Sequence, residues 1–334
     1  MSDAETTNDP PPDLTPDLHN DTPYAPQAAP EASAPLIDNQ ADNQPGYLWR
    51  PIEPPPPPPL QLVPPPPPPK LIPNLGHVLV FLVLIFPALI GGYIIALLSI
   101  YATHPHVRIP VLMQQIGQNV IYAISMQAAI YAVLWALAAL VFSLWWGRSF
   151  AKGIHWNFSA ATHRFLWLAL LGGVTGLAIT LAGNFLPMPK APPILEDITK
   201  SAAGAWVLMA FGVTVAPITE ELAFRGFLLP SLVNVFRWLE RKRVIGESAV
   251  HVIGIPLSIV LTSIPFAFMH AAQVSNSWGP VLLIGLVSVV LCIVRLATDS
   301  VAAGFLVHAC YNLTLFTGLL IQTDGFKHLD KLKM

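Results

Sequence analysis

Residues 203–230 read AGAWVLMAFGVTVAPITEELAFRGFLLP. The run exceeds the roughly 20 apolar residues that carry a helix across a bilayer, yet it holds two adjacent glutamates and an arginine, Glu220, Glu221 and Arg225. An ionised side chain at the centre of a membrane helix costs at least about 2.5 kcal/mol, so it persists where it is paired or faces a wet cavity, and it marks function by default. The stretch therefore predicts both a spanning helix and a polar site inside the span.

On a helix Glu221 and Arg225 are four residues apart with the acid N-terminal, the favourable order for an ion pair on one face, while Glu220 points about 100° away. Glu221 paired with Arg225 stays ionised and braces the helix, which leaves Glu220 free to take a proton from water as a general base. A buried pair that only locks helices together explains Glu221 and Arg225, but it leaves Glu220 as an unpaired buried carboxylate, which is costly. Pro217 removes a backbone donor just before the acids, a kink that a membrane tolerates beside protein or a water-filled pocket.

The rest of the chain extends the same pattern. Of 334 residues, 54% are apolar and 11% charged, against about 25% charged in soluble domains. Spans are expected at about 76–101, 117–146, 165–187, 203–230, 250–272, 279–297 and 300–322, so the fold class is all-α: a polytopic transmembrane bundle of seven to eight spans. The basic segment 231–248, with Trp238 beside Arg237, Arg241, Lys242 and Arg243, reads as an interfacial helix or a solvated loop. Residues 327–334 read as a short basic C-terminal tail, which leaves 74–326 as the transmembrane bundle.

Residues 1–73 differ from everything after them. They hold 23 of the 35 prolines, including the runs Pro54–Pro59 and Pro64–Pro69, and the acidic residues of 1–70 outnumber Arg50 and Lys70 by eight. Such a composition cannot bury enough apolar surface to offset ordering entropy and predicts a disordered tail. The proline runs favour polyproline II, a stiff spacer that can also dock into an aromatic-lined groove of a partner. The start of the sequence has no signal-peptide pattern, so the first span is expected to act as the insertion signal. With the tail in the cytoplasm, Lys and Arg of the loops and span ends, with Arg295 at the end of its span counted among the loop charges, divide ten to six in favour of that side, which predicts a cytoplasmic N-terminus. Nothing resembles the clustered basic patches of nucleic-acid binders; Cys292 and Cys310 lie in apolar runs and suggest neither a disulfide framework nor a metal knuckle.

Two further motifs carry polar side chains. Phe266-x-x-x-His270 and His308-x-x-x-Asn312 each place both members on one helical face. Glu220, His270, His308 and Asn312 thus come from three spans and can converge on one cavity, where carboxylate and imidazole activate water and imidazole and carboxamide stabilise an oxyanion. Glu220, His270 and His308 are equally candidates to ligate a divalent metal such as zinc, with water in the open position, and the sequence leaves both chemistries open. Span limits place His270 near one end of its helix and Glu220 deeper in its own, so one boundary must move if they meet; extending the fifth span towards Asn276 is the expected adjustment. Asp299 reads as a helix-end cap or a counter-charge to Arg295. No HExxH, GxSG-like or GxGD motif occurs.

Glu220-Glu221-x-x-x-Arg225, Phe266-x-x-x-His270 and His308-x-x-x-Asn312, in that order, resemble the CPBP intramembrane proteases, which comprise type II CAAX prenyl endopeptidases and the Abi bacteriocin-processing or immunity proteins. The resemblance covers about residues 200–315. It implies that Glu220 and His270 activate water, that His308 and Asn312 form the oxyanion site, and that Glu221 with Arg225 supports the first helix. Thr298-Asp299-Ser300 departs from a Thr-Gly-Ser-like turn often found before the last histidine, and the basic 231–248 segment lies between the first two motifs.

The expected function is therefore an intramembrane endopeptidase acting on a peptide or membrane-protein substrate, prenylated or not, within the lipid bilayer of a bacterial inner membrane. The alternative from another class is a non-catalytic scaffold or immunity-type protein using the same fold, which predicts silent Glu220 and His270 substitutions. A transporter is a third option, supported by the kinked polar spans, but the paired-repeat symmetry common in transporters is not visible.

Overall fold

Backbone N–H and C=O groups must be satisfied without water inside a bilayer, which restricts spanning segments to helices or closed barrels. In a computed structural model that describes residues 70–189, 192–193, 196, 198 and 200–332, seven helices are long and apolar enough to cross a membrane: α1 Leu75–Thr103, α2 Val120–Trp146, α3 Phe165–Gly183, α4 Ala202–Arg241, α5 Glu247–Met269, α6 Trp278–Thr298 and α7 Val301–Gln322. The chain is a multi-pass, all-helical membrane protein, with no strand among the described residues. The proline-rich tail expected over 1–73 lies, up to residue 69, outside the described residues, as do both six-proline runs. Near the C-terminus, Leu329–Leu332 forms a 3₁₀ turn, and Leu332 is buried with Phe326, Ile198 and Ala205.

Polar residues set the helix ends. Asn74 and His77 close a capping box at the start of α1, Asn119 accepts from the Ile121 and Tyr122 amides at the start of α2, and Ser300 accepts from the Ala303 amide at the start of α7. Each satisfies amides that a first turn leaves without partners.

α1 packs on α2, α3 on α7, and α5 on α6, while α4 touches α1, α2, α5, α6 and α7. In the α3–α7 pair, Gly172 and Gly176 form a small-x-x-x-small face. A Cβ at Gly172 would lie 2.5 Å from the Val307 carbonyl oxygen, and one at Gly176 would lie 2.8 Å from the Thr314 Cβ. Lipid tails are as apolar as leucine, so close backbone approach of this kind replaces hydrophobic burial as the source of contact energy.

α4 is irregular where its sequence is. Its first segment ends at Val213, and the next runs Val215–Glu221, a break at Thr214 explained by Pro217, which has no N–H for the Val213 carbonyl. A π-helical turn follows over Leu222–Leu228, and the helix resumes over Leu229–Arg241. The segment 231–248 is thus no separate interfacial element up to Arg241: it continues α4, with Leu229, Ser231, Val233 and Asn234 buried and Trp238 half exposed.

This longer α4 resolves the depth of the two motifs, and the expected extension of the fifth span does not occur. α5 ends at Met269, with His270 as its C-cap and a 3₁₀ turn over Ala271–Val274. Gly254 of α5 abuts the Phe236 ring of α4. Glu220 lies 16 residues before Phe236 and His270 lies 16 residues after Gly254, so the antiparallel pair carries both motifs the same length of helix from that contact. The boundary that had to move was the end of α4, because its amphipathic final turns look like a loop to a reading based on apolar runs.

Candidate active site

The carboxylate of Glu221 is fully buried and shared. Its Oε1 accepts from Arg225 Nη1 at 3.0 Å and from His308 Nδ1 at 3.0 Å. Arg225, also fully buried, donates through Nη2 to the Ser288 carbonyl at 3.0 Å and the Ser288 hydroxyl at 2.8 Å, and its guanidinium lies 4.5 Å from the Phe266 ring centre. Charge-assisted bonds and a ring face offset part of the cost of removing both charges from solvent, while, among the described residues, Glu221 Oε2 and Arg225 Nε are buried without a hydrogen-bond partner. Gly304 makes the arrangement possible, since a Cβ there would lie 2.7 Å from Glu221 Oε2.

Glu220 points the other way, as the 100° turn between neighbouring helical residues requires. Its Oε1 lies 3.7 Å from His270 Nε2 and its Oε2 lies 3.6 Å from His308 Nε2, with 14% of the Glu220 side chain exposed. His270 Nδ1 is 2.8 Å from the Phe266 carbonyl oxygen, an end-of-helix acceptor with no amide of its own. A carbonyl can only accept, so a proton sits on Nδ1, and the ring turns its Nε2 towards Glu220. His308 is held from its other nitrogen by Glu221. The residue before the acids is fixed as well: Thr219 Oγ accepts from Trp135 Nε1 at 3.1 Å, which ties this turn of α4 to α2.

The structure thus brings Glu220, Glu221, Arg225, His270 and His308 into one connected cluster from α4, α7 and the end of α5. Asn312 is placed differently. Its Nδ2 donates to the Gly212 carbonyl at 2.7 Å, next to the break in α4, and an amide nitrogen with two hydrogens has one left for another acceptor. The three candidate metal donors lie together, with each imidazole Nε2 facing a different oxygen of Glu220. Among the described residues no group of three His, Cys, Asp or Glu side chains is arranged to hold a metal ion as it stands.

Several supporting residues escaped the motif reading. Ser288 sits in an apolar run with no signal of its own, Gly304 could have been noticed only as the residue one turn before His308, and Trp135 belongs to a different span. Arg295, counted among the loop charges, is instead only 5% exposed. Its Nη1 donates to Asp299 Oδ1 at 2.8 Å, which makes Asp299 a counter-charge, while the cap of α7 falls to Ser300. Asp299 Oδ2 also accepts from His155 Nδ1 at 2.7 Å. Partial burial works to raise the Asp299 pKa, but the bonds from Arg295 and His155 outweigh it and hold the carboxyl below its ordinary value.

No curated protein and no solved structure matches the chain. Residues 202–314, which run from α4 into α7 and contain Glu220, Glu221, Arg225, His270, His308 and Asn312, match the family model described as Type II CAAX prenyl endopeptidase Rce1-like, the family that the three motifs resemble.

Proposed function

We propose that this protein is an intramembrane endopeptidase that hydrolyses a peptide bond of a membrane-anchored substrate, in the manner of CAAX processing, with Glu220 as general base. The observation that carries the reading is the Glu220 carboxylate set between two imidazole nitrogens, at 3.7 and 3.6 Å, in a largely buried cluster drawn from three helices. Those gaps exceed a direct hydrogen bond, so the carboxylate and both imidazoles keep bonding capacity for a water at the site.

In the proposed step Glu220 takes a proton from that water as its oxygen bonds to the scissile carbonyl carbon. The C=O π pair moves onto the carbonyl oxygen, which the remaining Asn312 N–H stabilises, with the His308 ring beside it. The oxyanion pair then re-forms the C=O bond as the C–N bond breaks, its electrons leaving on the amine nitrogen, which takes the proton held by Glu220. His270, fixed by the Phe266 carbonyl, orients the water, and Glu221 with Arg225 keeps His308 turned towards Glu220. No step is routed through a metal. The Lys and Arg distribution supports placing the N-terminal tail in the cytoplasm, as in a bacterial inner-membrane protein.

The test compares new protein termini in membranes that express wild type or Glu220→Gln at matched levels, together with cleavage of a farnesylated CAAX-box peptide by the purified full chain, with and without a zinc chelator. Termini that vanish with Glu220→Gln, and peptide cleavage that survives the chelator, are expected. Identical termini with a folded variant would overturn the peptidase reading and favour a scaffold.

A further inference from the structure

The π-helical turn leaves one backbone acceptor in α4 without a helical partner. The Leu229 amide reaches back five residues to the Phe224 carbonyl. The Arg225 carbonyl would therefore look to residue 230, also five residues on, but that residue is Pro230 and has no N–H. Arg225 is fully buried, so water cannot serve in its place. The partner comes from another helix: Arg295 Nε donates to the Arg225 carbonyl at 3.1 Å.

Ser288 and Arg295 lie seven residues apart on α6, two helical turns on one face. Ser288 takes the Arg225 guanidinium and Arg295 takes the Arg225 backbone, so α6 grips one residue at both ends. Arg225 in turn holds Glu221, and Glu221 holds His308. Arg295 is aimed by its own bond to Asp299, which is tied to His155 in the connection between α2 and α3.

We propose that Arg295 is a positioning residue of the site, which stabilises the π-helical register of α4 by satisfying the carbonyl that Pro230 leaves unpaired and so sets where Glu220, Glu221 and Arg225 stand relative to His308. This rests on the peptidase reading for its activity arm only. The role differs from that of a plain structural ion pair, because the important acceptor is a main-chain oxygen created by helix register, and its loss can be mended from the same chain. Replacing Pro230 with alanine returns an N–H five residues after Arg225, where the π register needs it.

The experiment uses the full chain in nanodiscs with the farnesylated CAAX-box peptide. Arg295→Met is expected to lower kcat ~10- to 100-fold, the range that small misplacements of reacting groups produce, with KM changed less than about twofold. Amide exchange over 222–229 should accelerate, and Pro230→Ala in the Arg295→Met background should recover both. Unchanged kcat and exchange in Arg295→Met, or losses that Pro230→Ala leaves untouched, would overturn the proposal. If Arg295→Met does not accumulate, Arg295→Lys, which keeps a charge opposite Asp299, is measured in the same way and judged by the same outcomes. Failure of the peptidase reading is seen separately, as wild type that leaves the peptide intact, and the exchange arm then decides the role of Arg295 alone.

Discussion

The α1–α2 pair and the α4–α7 group are both built from apolar spans, yet they are held together by different means. In α1 the buried positions are His77, Phe81, Ala88, Gly92, Ala96 and Ile100, and in α2 they are Ile124, Leu134, Ala138 and Phe142. Small residues and rings mesh there, and Gly92 lies directly on the Ile130 backbone. Among α4–α7 the buried set includes Thr219, Glu221, Arg225, Ser288, Arg295 and His308. In the most apolar window of α6, 39% of residues are buried, against 17% in α1, α2 and α3. A bilayer gives no hydrophobic reward for pairing two apolar helices. The outer pair therefore depends on shape, and the inner group on hydrogen bonds that lipid cannot replace. The inner solution specifies positions more sharply and carries the polar groups that chemistry needs.

That contrast can be attacked in order of expected effect. Glu220→Gln should reduce peptide cleavage about 10²- to 10⁴-fold, the usual share of a general base, with the thermal transition of the purified protein unmoved; a variant that unfolds would mean that Glu220 braces the bundle as its neighbour does. Arg225→Met removes one side of a fully buried pair and should destabilise by about 3–5 kcal/mol, read as a lower detergent-denaturation midpoint and poor accumulation. Gly304→Ala forces Glu221 Oε2 out of its place and should cost about 1–3 kcal/mol together with most of the activity. Gly92→Ala should cost a similar amount in stability, since the added methyl meets backbone at Ile130, but with kcat within about twofold of wild type. Equal losses of activity from both glycine variants would erase the distinction between the two regions.

The smallest effect belongs to the edge of the inner group. Asp299 is 69% exposed, so its pair with Arg295 should contribute less than about 1 kcal/mol. Its folded pKa is depressed, so that contribution is present above the unfolded aspartate value and is lost as pH falls through the lower folded one. Asp299→Asn should therefore lower stability slightly at neutral pH, and the difference should shrink as pH falls below about 4 and vanish below the depressed folded value, as measured by paired denaturation curves. The reverse slope would place the stabilising charge elsewhere.

Length and hydropathy were enough for the class of fold and for seven spans, because a bilayer demands long apolar helices and little else has that pattern. The i, i+4 spacing of Glu221 and Arg225 was legible for the same reason, since helix geometry alone brings them together. The junction of α4 with its final turns was not legible, because an amphipathic continuation and a basic loop share one composition. The convergence of Glu220, His270 and His308 was expected from their motifs, but the depth at which they meet, the placing of Asn312 on the Gly212 carbonyl and the burial of Arg295 were not legible. Each of these depends on which helices touch and at what level. Between apolar helices in lipid that choice is made by glycine clearances and by buried groups such as the Arg225 carbonyl, whose need for a partner exists only once the π register and Pro230 have left it without one.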